Sequence, residues 1–403
     1  MMRILLLAQF YPPIMGGVER HVRSLGVALA ARGHEVAVAT LWQAGQPEFE
    51  MDGPVRVYRI HGTMQRLGML FPVERQHAPP FPDPEVTAAL RRLVLAERPD
   101  VVHAHNWLVH SFLPIKAWSG ARLVMTLHDC EMACVQMRRM YKNKIQCSGP
   151  NPIKCTLCAL QHYGALEGPA TLAANWVMSA VERGLVDMFV PVSDAMAEAN
   201  GLTGTRTPHQ VIPNFVPDDI GEIDPDLDER VAALPQGYIL QVGDLARDKG
   251  IAVLLEAYAG LASAPPLVLV GRRLPESPHS LPPNVLWIDG LPHRAVIQAW
   301  QRSLFGVVPS LSMDGFPTVT LEAMACGRPV IGSEIGGIPD QIVDGATGLL
   351  FPPGDVPALR EAMLHLLNND GLRTRMGEAA AVRVRQFMAG PVVDRIEGLY
   401  RSL

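Results

Sequence analysis

The stretch DGFPTVTLEAMACGRPV, Asp314 to Val330, sets two carboxylates, Asp314 and Glu322, eight positions apart around what reads as a helix start. Pro317 suits a first helical turn because its missing N–H is not needed there, and Gly327 followed by Pro329 is a stop signal. The spacing therefore predicts a helix from about Pro317 to Cys326. The amides of Thr318, Val319 and Thr320 would lie unpaired at the positive end of its dipole, which favours a phosphate. Neither acid suits a phosphate neighbour. Both suit hydroxyl groups, such as those of a ribose and a hexose, with the amides taking phosphates between them. A solvated helix face with an exposed cap is the plain alternative.

Two other stretches carry compatible chemistry. In VGDLARDKGI, Val242 to Ile251, a buried strand gives way to a helix, and Arg247 and Lys249 are spaced to reach a diphosphate. In YPPIMGGVERHV, Gly16 and Gly17 fall between the first strand and a long helix, where missing side chains permit close backbone approach to a ligand. The same glycine pair also serves turn geometry alone.

Of six cysteines, five (Cys130, Cys134, Cys147, Cys155, Cys158) share one window. The apolar start, MMRILLLAQFYPP, reads as a buried strand and not as an export signal. A reducing, cytoplasmic compartment is thus expected, and metal ligands are favoured over disulfides. Cys155 and Cys158 form a C-x2-C pair, and Cys134 and Cys147 complete a four-sulfur set suited to a structural zinc. Unligated thiols, disulfides and an iron–sulfur cluster stay open as alternatives. Cys130 is the leftover, and Cys326 reads as an ordinary small buried residue.

The elements that must position these groups are legible as apolar runs: RILLLAQF, EVAVAT, DVVHAH, RLVMTLH and DMFVPVS, then YILQVG, PLVLVG, NVLWIDG, LFGVVPS and RPVIGS. Continuous rather than alternating runs are buried on both faces, which implies parallel sheets covered by helices, an α/β class. At 403 residues the chain should fold as two domains. We expect a first at 1–200, with a Cys-rich insert at about 128–160, and a second at 201–385 after a Pro- and acid-rich linker. A last helix, 386–403, is a candidate to fold back on the first. Such units should leave a cleft at the carboxyl ends of their strands. A net charge of −5 gives no reason to expect nucleic acid as main partner. The basic run RRMYKNK, Arg138 to Lys144, reads as a solvated loop.

Taken together, the glycine pair, HAHNW, TLHD, PVSDAMAEA, VIPNFV, the Lys249–Gly250 step and DGFPTVTLEAMACGRPVIGSEIGGIPDQIVDGATGLLFPPGD resemble the retaining glycosyltransferases of family four, which have the GT-B fold. The resemblance spans nearly the whole chain. It implies transfer of a sugar from a nucleotide diphosphate sugar to an acceptor hydroxyl, with no metal in catalysis. It implies that Glu322 holds the ribose and Asp314 the donor-sugar hydroxyls, although Asp314 is one methylene shorter than the glutamate usual there. His128, at the end of RLVMTLH, matches the position that binds donor sugar and stabilises charge near the reacting carbon. Catalytic roles are thus implied for His128, Asp314 and Lys249. Donor contacts are implied for Gly16, Gly17, Asn214, Arg247, Lys249, Gly315, Phe316, Thr318, Val319, Thr320 and Glu322. Asn214 and Ser193 are expected mainly as pocket walls. Asp244 replaces an arginine usual in the family, and Arg247, Arg272 or Arg273 would have to supply that charge. The insert after His128 should shape the acceptor side. The acceptor itself, a small metabolite, a lipid carrier or a saccharide, is left open, as is a peripheral membrane contact. Two other readings are kept: a nucleotide-sugar scaffold with weak or no catalysis, and an epimerase or hydrolase of the same fold.

Overall fold

A computed structural model of the chain describes residues 1–14, 16–66, 77–142 and 145–403. Asn143 and Lys144, the end of the basic run read as a loop, lie outside the described residues. The chain divides into two compact units, one of Met1–Lys142, Cys147–Pro213 and Val392–Leu403, the other centred on Asn214–Pro391.

The first unit holds strands β1 (Arg3–Leu7), β2 (Glu35–Leu41), β3 (Phe49–Asp52), β4 (Val55–Ile60), β5 (Val101–Ala104) and β6 (Arg122–Leu127). Short strands β7 (Met140–Tyr141) and β8 (Ile145–Gln146) fall in the Cys-rich segment, and β9 (Met188–Pro191) completes the main sheet. Its order is β3-β4-β2-β1-β5-β6-β9. All pairs are parallel except β3 with β4. Apolar runs buried on both faces require helical cover, and Leu5, Leu7, Val102, Leu123 and Met125 share one core with Leu90 and Leu93 of the helix Pro84–Glu97. The antiparallel edge was not anticipated. VRVYRI alternates buried and half-buried positions and FEMD is largely exposed, so neither is the continuous apolar run of a central strand.

The second unit holds β10 (Tyr238–Val242), β11 (Leu267–Val270), β12 (Val285–Ile288), β13 (Ser303–Val308), β14 (Val330–Ser333) and β15 (Gly348–Phe351), all parallel, in the order β12-β11-β10-β13-β14-β15. In each sheet the strand order reverses beside the first strand, between β1 and β5 and between β10 and β13. At such a reversal the adjoining connections leave to opposite faces, and a ligand-sized space opens past the carboxyl ends.

The first unit extends to Pro213, beyond the expected boundary at 200/201. The reason is local: Gln210 N–H donates to Phe189 O at 3.0 Å and Ile212 N–H to Pro191 O at 3.2 Å, so this segment runs beside β9. At the other end of the chain, the helix Ala389–Ser402 brings Glu397 to His34 (3.0 Å) and Tyr400 to His103 (2.6 Å) within the first unit. No helix among the described residues is long and apolar enough to cross a membrane.

Candidate donor site and histidine cluster

In the second unit the loops after β10 and β13 are tied together. The N–H groups of Leu311 and Ser312 both donate to Asp248 O, at 2.8 and 3.2 Å. Gly250 lies at φ 72°, and a Cβ there would sit 1.8 Å from Pro309 O, so only glycine allows this approach. Gly336 does the same against Asp314 O, where a Cβ would fall at 2.2 Å, while Gly337 N–H donates to that carbonyl at 2.9 Å. Asp314 is thereby fixed from both flanks.

The helix predicted from Pro317 spans Thr318–Ala325, with Pro317 as its N-cap at φ −65° and no side-chain cap. One expectation is corrected here: the Thr320 amide is not unpaired but donates to Pro317 O at 3.2 Å, because the first turn closes back on the residue before it. The Pro317 carbonyl also accepts from Gln341 Nε2 at 2.9 Å. Thr318 and Val319 carry the amides that precede this bond.

The charged groups of the site are paired with one another. Lys249 Nζ donates to Asp314 Oδ1 and Ser310 Oγ to Oδ2 of the same carboxylate. Arg272 meets Asp244 as a fork, Nε to Oδ1 at 3.0 Å and Nη2 to Oδ2 at 2.7 Å. Asp244 thus has the cation that its position needs, from the next strand's end, whereas Arg273 stacks over the Trp287 ring at 4.3 Å. Arg247 is exposed. Glu322 is 2% exposed, and its Oε1 is 2.9 Å from His293 Nε2. Asn214 Nδ2 donates to Phe316 O at 3.0 Å, so Asn214 braces the turn of Gly315 and Phe316. His293 and Ser310 were not anticipated. Neither carries a sequence signal, because each reaches its carboxylate only through the fold.

In the first unit, Gly16 precedes the helix Gly17–Ala31, and a Cβ on Gly17 would meet nothing within 4 Å. Ser193, expected as a wall, caps the helix Asp194–Ala199 by accepting from Met196 N–H. His128 follows β6 and lies in a cluster of imidazoles. His105 Nδ1 is 3.1 Å from His128 Nε2, and the His21 ring meets His128 edge-on at 5.0 Å between centroids. His103 stacks on His105 at 4.4 Å and bonds Tyr400 Oη at 2.6 Å and Thr126 Oγ1 at 2.7 Å. Burial, reinforced by the neighbouring imidazoles, holds His21 and His105 well below the usual histidine range and His103 down to about 3. Beside them, burial pushes the Asp129 carboxyl up to about 7. The H-x-H of HAHNW was the available signal: residues two apart share one face of an extended chain.

In the Cys-rich segment all cysteines are free. Cys158 Sγ accepts from Gln136 Nε2 at 3.1 Å and from Lys142 N–H at 3.5 Å, and Cys155 Sγ from Asn151 N–H at 3.3 Å. Burial raises the Cys134 thiol. Among the described residues, the histidines 21, 105 and 128 form the one group of three or more His, Cys, Asp or Glu whose ligand atoms converge at metal spacing.

Comparison with known proteins agrees with this geometry. The chain is 25% identical to a glycogen synthase of Mycobacterium tuberculosis over 411 residues, 95% of this chain and 90% of that one. Its fold is that of a sucrose-phosphate synthase from Thermosynechococcus elongatus, with a TM-score of 0.75 at 21% identity over 99% and 98% of the two chains. Anabaena HepE in complex with UDP-glucose superposes with a TM-score of 0.70 at 17% identity, covering each chain fully. These are GT-B folds, as expected. The family model of glycosyl transferases group 1 matches residues 225–383, and that of Glycosyltransferase Family 4 matches residues 15–220, just over half of the chain. On that match, joined to two doubly wound sheets with the expected motifs at their carboxyl ends, the chain belongs to glycosyltransferase family 4.

Proposed function

We propose that this glycosyltransferase is a retaining hexosyltransferase that moves a sugar from a nucleoside diphosphate sugar to an acceptor hydroxyl. The observation that carries the reading is the start of the Thr318–Ala325 helix, uncapped by any side chain, with Asp314, paired to Lys249, on the loop before it and Glu322 in its second turn. Backbone N–H groups and a helix dipole there suit a diphosphate, and Lys249, held by Asp314, adds a cation. Glu322, oriented by His293, accepts from ribose hydroxyls, and Asp314 from sugar hydroxyls. The relative that holds UDP-glucose supports this donor class.

The chemistry asks little of the protein beyond placement. In front-face transfer, the C1–O bond to the diphosphate breaks, the acceptor oxygen bonds C1 on the same face, and the leaving phosphate takes the acceptor's proton. Lys249 and the helix amides stabilise the charge that gathers on that phosphate. His128 serves the sugar. The pairing of Asp244 with Arg272 supports catalysis over a bare scaffold, since it neutralises the carboxylate that would repel a phosphate.

The test is nucleotide release by purified protein over a panel of donors, with and without acceptors, and the product's anomeric configuration by NMR. Release only with acceptor and with retention is expected. Release without acceptor marks a hydrolase, binding without release a scaffold, and inversion ends the mechanism. Glu322→Ala should weaken nucleotide binding roughly 10- to 100-fold, the value of a charged hydrogen bond.

A further inference from the structure

We infer that the first unit carries a binding site for a single zinc-class dication, chelated by His21, His105 and His128. One ring nitrogen from each lies within 4.8 Å of the other two. Two nitrogens each about 2.0 to 2.1 Å from one tetrahedral ion are separated by roughly 3.3 to 3.4 Å. The 3.1 Å between His105 Nδ1 and His128 Nε2 is already near that spacing.

The three imidazoles come from three different elements: the helix Gly17–Ala31, the residue following β5 and the residue at the end of β6. Each is anchored in the sheet or the helix packed on it, so the trio is set before an ion arrives. His105 is 2% exposed, and its Nε2 is buried with no hydrogen-bond partner. An orphaned buried nitrogen costs about 1 to 3 kcal/mol, and with no partner on Nε2 nothing fixes the tautomer that would take the lone pair away from Nδ1, the nitrogen that faces His128. His103 is excluded as a ligand because Tyr400 and Thr126 occupy both its nitrogens; stacked on His105, it holds that ring in place.

The donor set selects the ion. Three imidazoles with no carboxylate among them suit Zn2+, Co2+, Ni2+ or Cu2+ and not Mg2+ or Ca2+, and three protein ligands leave a position for water. The functional consequence rests on the transfer role proposed for His128: an ion that engages its ring removes it from the sugar, so zinc inhibits and a chelator restores turnover.

Cobalt(II) distinguishes this site from the thiols Cys134, Cys147, Cys155 and Cys158, the competing chelators. The full chain, stripped with a chelator, is titrated with Co2+. One equivalent should bind with visible d–d bands and without the near-ultraviolet charge transfer of a sulfur–cobalt bond. His105→Ala and the more conservative His21→Gln should each lower its affinity at least about 100-fold, with thermal unfolding as the check on folding, while Cys158→Ser should leave it unchanged. No uptake, or a sulfur-type spectrum indifferent to both histidine variants, overturns the site. Uptake with the expected spectrum but full transfer activity keeps the site and removes His128 from the reaction.

Discussion

The two units place polar groups at the same topological point, past the carboxyl ends of parallel strands, and use opposite electrostatics to do it. In the second, charged and partly exposed groups are paired, Lys249 with Asp314 and Arg272 with Asp244, and the buried Glu322 meets His293. In the first, the polar groups are imidazoles that burial keeps neutral. Charge survives where solvent or a partner offsets desolvation, and a buried ring packed among other imidazoles sheds its proton.

The largest effect should come from the backbone that holds the charged unit. Gly250→Ala drives a Cβ into Pro309 O and forces an L residue to φ 72°, so we expect a fall in thermal stability and loss of nucleotide binding, read by calorimetry. Gly17→Ala, with open space around it, should leave stability unchanged. Equal losses from both would erase the difference between the two strand ends.

A smaller effect isolates charge pairing. Arg272→Ala leaves the Asp244 carboxylate uncompensated and should weaken nucleoside diphosphate binding several-fold at low salt. Asp244→Ala in the same background should recover most of it, since the pair is partly exposed and worth about 1 kcal/mol or less. Additive losses in the double variant would show that the two residues act separately.

The smallest effect tests burial as the leading cause of a shift. Desolvation pushes the Cys326 thiol up to about 12 and Cys130 well above its usual range. With the folded value raised, the native state gives up stability only as pH climbs from about 9 toward 12, and at pH 8 roughly one Cys326 thiol in ten thousand is ionised. Alkylation of the native chain at pH 8 should therefore spare both residues. Modification as fast as in denatured protein would show that desolvation does not govern them.

Much of this was visible in the residues. Continuous Val, Ile and Leu runs marked the central strands, and the Pro317 to Gly327 punctuation marked the donor helix to within a residue at each end. The edge strand β3 and its neighbour β4 were missed because half-exposed strands need no continuous apolar run. The Thr320 amide was misread because whether a first turn closes on its own carbonyl depends on dihedral angles, which residue type leaves open.

Local chemistry decided where phosphate-compatible loops, glycine-only turns and helix starts fall, since these depend on neighbours a few positions away. Which carboxylate meets which cation, 65 positions apart for Lys249 and Asp314, and 28 apart for Arg272 and Asp244, was decided by the sheet order. So was the meeting of His21, His105 and His128. A chain can state the reach and charge of a side chain, but a partner across the fold is selected only when strands and helices close around it and exclude water from the alternatives.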